Sequence, residues 1–145
     1  MEATHDHVFH PSRPSQREVV RRDPTRLAFS ILQLAFVVAP IVAGIDKFTH
    51  LLANWDKYVA PAVVSLLPFD AHTFMMIVGV IEIGAGLLVA FRPRIGGYVV
   101  SAWLVGIILN LLIHPMGYYD IALRDLGLSM GAFAMAKLAK GLDKK

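Results

Sequence analysis

Glu82 is the residue of this chain with the most unusual setting: it interrupts an apolar run, Ala71 to Phe91, that holds no other Asp, Glu, Lys or Arg. If that run crosses a bilayer, an unpaired carboxylate near its middle costs at least ~2.5 kcal/mol, so Glu82 must be protonated, paired or facing water. Such a group could carry a proton. Beside an apolar slot and a donor such as His114 or Asn110, it could also bind the carbonyl of a quinone. Candidate partners stand near the ends of the other apolar runs: Asp46 and Lys47, Asn110 and His114, Arg124 and Asp125. Direction separates them, because helical side chains lean toward the helix N-terminus. Lys47 and Asn110, late in outward-running helices, point back into the membrane, whereas Arg124, early in an inward-running one, leans out. The expectation is a Lys47–Glu82 pair with Asn110 as hydrogen-bond donor, and Arg124 held by Asp46 or Asp125. A polar cluster of this kind serves equally as structural glue without a ligand.

Other chemistries find little support. The chain contains no cysteine, which excludes disulfides, thiolate metal sites and a catalytic thiol. Haem held by two histidines needs a facing pair within the bundle, and His50, His72 and His114 all fall near span ends. No activated nucleophile, glycine-rich phosphate loop or H-x-x-x-H spacing occurs in the spans. His5, Asp6, His7 and His10 could ligate a metal, but in a polar, Pro-containing tail they read as solvated, and no metal is assigned. A transporter would show more spans and an internal repeat. A proton or small-solute path through Glu82 is a third, lesser reading.

The elements that must position these residues are membrane helices. Leu27 to Ile45 and Ile95 to Ile113 each run nineteen residues without a charge, and Ala71 to Phe91, broken only by Glu82, is the third apolar stretch. About 20 apolar residues span a ~30 Å hydrocarbon layer. A fourth span is expected over Ile121 to Lys140, although Arg124 and Asp125 interrupt its start. With it, eleven of the fourteen Lys and Arg fall on one side, in the N-terminal segment, the Arg92–Arg94 turn and the C-terminal end, leaving Lys47, Lys57 and Arg124 for the other. That bias puts both termini in the cytoplasm and the chain in the cell (inner) membrane. The basic residues therefore report topology and not nucleic-acid binding. Arg21 and Arg22 suggest an export signal, but Asp23 and Pro24 follow them where apolar residues belong, so the first span is read as retained. The expected fold is an all-α, four-helix transmembrane bundle over residues 27–140, with a disordered basic tail at 1–26 and a basic end at 141–145.

Between spans one and two, Trp55 and Tyr58 precede Val59 to Phe69, eleven residues with Pro61 and Pro68 near the ends and too short to cross. This predicts a short interfacial or re-entrant helix, lying on the headgroups or closing the outer mouth of the bundle. Ala35, Ala39 and Ala43, Gly79 and Gly86, and Gly127 and Gly131 are expected to face neighbouring helices, because small residues let backbones approach. Pro40 should kink span one.

Several of these motifs resemble one family. Ala43-Gly-Ile-Asp-Lys-Phe48, Gly79-Val-Ile-Glu-Ile-Gly-Ala-Gly-Leu-Leu88, Phe91-Arg-Pro-Arg-Ile-Gly96 and Ala122-Leu-Arg-Asp-Leu-Gly-Leu128 are similar, in order and spacing, to the signatures of DoxX-like membrane proteins. The resemblance covers Leu27 to about Leu138. It implies four spans, polar positions at Lys47, Glu82, Arg124 and Asp125, and association with quinone-linked respiratory or thiol and sulfur oxidation complexes. The functional expectation is a small membrane subunit anchoring or coupling a redox partner; no cofactor is assigned, and quinone is the candidate that the residues allow. The alternative is a scaffold or stability factor whose polar cluster is purely structural.

Overall fold

A computed structural model of the chain describes residues 24–143. The tail histidines and the lysines at 144 and 145 lie outside the described residues. Four long helices and one short one follow in order: α1 (Pro24–Thr49), α2 (Pro61–Val64), α3 (Ala71–Phe91), α4 (Pro93–Leu112) and α5 (Tyr119–Leu142), with a 3-10 turn at Trp55–Tyr58 before α2. There is no strand among the described residues. Pro24 to Arg26, expected in the tail, already belong to α1, and α5 runs on to Leu142.

Local chemistry sets these limits. Pro93 disfavours helical backbone at the residue before it, and Arg92, at φ −138° and ψ 68°, breaks α3 from α4. Pro93 then occupies the first position of α4, where its missing N–H costs nothing. Asp70 caps α3 by accepting from the Thr73 amide at 2.7 Å, and that bond holds its carboxyl below the usual carboxylate range. α1 ends where His50 enters the left-handed region at φ 52°, its amide still donating to Asp46 O at 2.7 Å.

α1, α3 and α4 are each long and apolar enough to cross a membrane, so the chain is a multi-pass membrane protein. α5 is as long but more polar, carrying Asp120, Arg124, Asp125, Lys137 and Lys140. The four long helices form a closed ring in the order α1, α3, α4, α5, in which α1 packs chiefly on α3 and α4 on α5. Both pairs are antiparallel. Gly44 faces Gly79 while Gln33, earlier in α1, reaches the carbonyls of Val89 and Ala90 at the end of α3. Ser129 Oγ likewise donates to Ser101 O at 3.0 Å, and Gly97 lies against Ala132 and Ala136.

The small residues divide in their use. A Cβ on Gly79 would stand 2.7 Å from Gly44 O, and one on Gly86 2.8 Å from Val37 O, so this stripe does permit the approach of α1. The other two stripes depart from expectation. Gly127 has nothing within reach and Gly131 touches only the Phe36 ring, because α5 meets α4 through Ser129, Ala132 and Ala136 instead. Ala35 and Ala39 are exposed, since α1 meets α3 through Val37, Ile41 and Gly44, on a different part of its surface. The core has two parts: Phe36, Ala85, Val89, Val100, Ala132 and Met135 toward one end, and Val59, Met75 and Val78 toward the other.

Candidate functional site

Between the two core clusters the ring of helices leaves a cavity of about 700 Å³. Phe36, Ala85 and Val100 form its floor, the alanines at 35, 39 and 43 one wall, and Trp55, Tyr58 and Val63 its roof. Alanines that were expected to bring helices together thus line a space, because methyl side chains directed between two helix pairs fill too little of it. The segment from Trp55 to Val64 closes this mouth as a 3-10 turn and a four-residue helix rather than one continuous helix, with Val59 and Ala60 buried at the joint between them. Pro61 starts the second piece and Ala60 before it is extended.

Lys47 Nζ and Glu82 Oε2 meet at 2.6 Å on the cavity wall, with side chains only 3% and 10% exposed. The backward lean of side chains on α1 and α3 brings them together, as the sequence argument requires. The ammonium also lies 3.8 Å from the centroid of the Trp55 ring, a cation–π contact that satisfies a second face of the charge. The buried Trp103 indole N–H lies against the same carboxylate, near enough to act on it but short of a well-formed hydrogen bond. The site therefore presents one ion pair with an indole N–H beside it to a largely apolar cavity, whose other polar lining is Asn110, Arg124 and Asp125.

The remaining expected residues take different parts. Asn110 lines the cavity but does not donate to Glu82: its Nδ2 donates to Tyr58 O at 2.7 Å and its Oδ1 accepts from Ala60 N at 2.9 Å. A single amide thus satisfies both an acceptor and a donor of the roof, which a carboxylate could not do. Arg124 is held by neither Asp46 nor Asp125; it pairs with Asp120 at 2.7 Å, one turn earlier on the same exposed face of α5. Asp46 instead organises the start of the connection, accepting from the amides of Leu51, Leu52 and Ala53, from Thr49 Oγ1 and from Trp55 Nε1 at 2.7 Å. Asp125 is half-buried on the cavity wall. His114 is buried outside the cavity, where Nδ1 accepts from Met116 N and the ring packs on Tyr118, so it offers nothing to a ligand there.

Tyr58, expected at the mouth of the bundle, is there, while sequence reasoning missed Trp103 and Gln33. It also missed a group outside the cavity. His50, Asp56 and His72, from the end of α1, the 3-10 turn and the first turn of α3, bring ligand atoms within 4.8 Å of one another. Positions so far apart in sequence show no motif; only a signal for chain reversal between Thr49 and Asp70 could have suggested it.

No family model, no curated protein and no solved structure matches the chain.

Proposed function

We propose that the chain is a small integral membrane subunit, of the DoxX-like kind its motifs resemble, that anchors or couples a redox partner and takes the head group of an isoprenoid quinone into the cavity between its helices. The observation that carries this reading is the largely apolar cavity of about 700 Å³ with a buried Trp103 N–H, poorly bonded to Glu82, beside the Lys47–Glu82 pair. A space of this size suits a lipophilic ring, and a few convergent polar groups are what orient one. Trp103 Nε1–H and the Lys47 ammonium are donors for a quinone carbonyl oxygen. Glu82 is the group that would deliver or accept the proton, while electrons come from the partner protein.

The reading includes α5 as a fourth span. It packs antiparallel along α4, and Leu123, Leu126, Met130 and Phe133 expose an apolar band between its polar ends. Both termini are then cytoplasmic and the cavity roof is on the outer side.

A second reading, a non-catalytic scaffold, is favoured by one specific observation: the Lys47 ammonium is already held by Glu82 and the Trp55 ring, which is what structural glue requires. Titrating a ubiquinone analogue into the protein in lipid nanodiscs, followed by tryptophan fluorescence, separates the two. Saturable quenching that weakens about tenfold in Trp103→Phe, the loss of one hydrogen bond to a ligand, supports the quinone site. Linear quenching that is the same in both proteins leaves the scaffold.

A further inference from the structure

We propose that His50, Asp56 and His72 form a binding site for a divalent transition metal of the zinc class on the face of the bundle that carries the cavity roof. The geometry is close to what such an ion needs. Ligands about 2.0–2.2 Å from a tetrahedral zinc stand about 3.3–3.5 Å apart. His72 Nδ1 and Asp56 Oδ2 are 3.1 Å apart, His50 Nε2 and Asp56 Oδ1 4.0 Å, and all three ligand atoms fall within 4.8 Å, so small side-chain rotations suffice.

Two further features point the same way. Asp56 Oδ1 is buried yet has no hydrogen-bond donor, although it faces His50 Nε2 at the longer distance. A buried carboxylate oxygen without a donor is costly, and a cation between it and the imidazoles removes that cost. The two imidazoles, stacked with centroids 5.4 Å apart, are both partly open to solvent, which leaves an entry path and room for water as a fourth ligand. Two nitrogens and one carboxylate select zinc-like ions over calcium or magnesium, which take oxygen ligands.

The site joins three elements: the end of α1, the 3-10 turn and the start of α3. Asp56 follows Trp55, whose ring holds Lys47 and whose Nε1–H is bound by Asp46. A metal there fixes the 3-10 turn, and with it the roof of the cavity. This inference stands on the three ligands alone and not on what the cavity binds.

The test uses the full chain carrying a non-histidine affinity tag, with His5, His7 and His10 replaced by Asn, purified in detergent and stripped with chelator. Zn²⁺ is titrated by calorimetry and Co²⁺ by visible absorption. One Zn²⁺ per chain is expected, with a rise in unfolding temperature, a Co²⁺ ligand-field band and no competition by excess Ca²⁺. His72→Ala, Asp56→Asn and His50→Asn should each weaken binding by about 100-fold or more, beyond the roughly 10- to 100-fold that loss of an outer partner costs. Asn is chosen at position 50 because it tolerates the left-handed backbone there. Folding of each variant is followed by monodisperse elution and helical circular dichroism. The proposal is overturned if the stripped protein shows no saturable Zn²⁺ binding, or if binding keeps its affinity in a folded His72→Ala or His50→Asn variant. Either result leaves a metal-free His72–Asp56 hydrogen bond.

Discussion

The Lys47–Glu82 pair concentrates the energetics of this protein in two side chains. Taking both charges out of water is expensive, and their attraction offsets this only because the contact is short and Trp55 covers the ammonium. Removing one partner should therefore cost more than neutralising it. Glu82→Leu leaves the ammonium without an acceptor, whereas Glu82→Gln keeps one, so Leu should lower the folded yield in membranes more than Gln does. A cycle of Glu82→Gln, Lys47→Met and the double variant should show coupling, of the order of the ~0.6 kcal/mol average for polar pairs between membrane helices and up to ~1.7. Additive losses would show that the pair contributes nothing as a pair. Quinone affinity measured on the folded fraction separates the roles: unchanged affinity in all three variants marks the pair as glue, and a larger loss of affinity than of yield marks it as part of the site.

At the scale of elements, α1 and α3 approach through glycines that have no spare room, while other glycines face open space. A methyl added at Gly44 would stand 2.6 Å from Gly79 O, a backbone atom that cannot swing aside. Gly44→Ala should thus separate the two helices and cost about 1–3 kcal/mol, the range for overpacking. Gly127 and Gly106 have nothing within 4 Å of an added methyl, so Gly127→Ala and Gly106→Ala should be neutral or stabilising by up to ~1 kcal/mol through helix propensity. Reversible unfolding in mixed micelles, read by circular dichroism, compares the three. Equal losses at Gly44 and Gly127 would mean that α5 uses its GxxxG face after all, in a contact outside this single chain. The same contrast explains the cavity: α1 closes tightly on α3 and α4 on α5, and the space remains where neither pair supplies bulk.

For the whole molecule, the distribution of basic side chains and the antiparallel order of the long helices make one testable topology. A reporter fused after Lys145 should read cytoplasmic, and one inserted between Asn54 and Val59 external. Equal readings at the two sites would remove α5 as a crossing helix, because α3 and α4 together return the chain to the side it left, and a cytoplasmic loop with an external C-terminus would invert the four-span topology. The external reading would also place the His50–Asp56–His72 group on the outer side, together with the roof that Asn110 holds through Tyr58 and Ala60.

How much of this was legible in the sequence follows from the range of the interactions involved. Hydropathy and length determined the three crossing helices, and Ala71 to Phe91 agrees with α3 to the residue, because a helix in lipid is specified by its own composition and backbone bonds. The Lys47–Glu82 contact was also within reach, since an isolated intramembrane carboxylate leaves few partners and side-chain direction separates them. The partners of Asp46, Asn110 and Arg124 were not, because each had near rivals: a carboxylate close to a turn is taken by loop amides, an exposed arginine by the acid one turn away. The cavity and the histidine–aspartate group belong to tertiary structure alone. A void depends on what all four helices fail to fill, and three ligands separated by six and sixteen residues meet only when the connection between α1 and α3 folds back across the bundle.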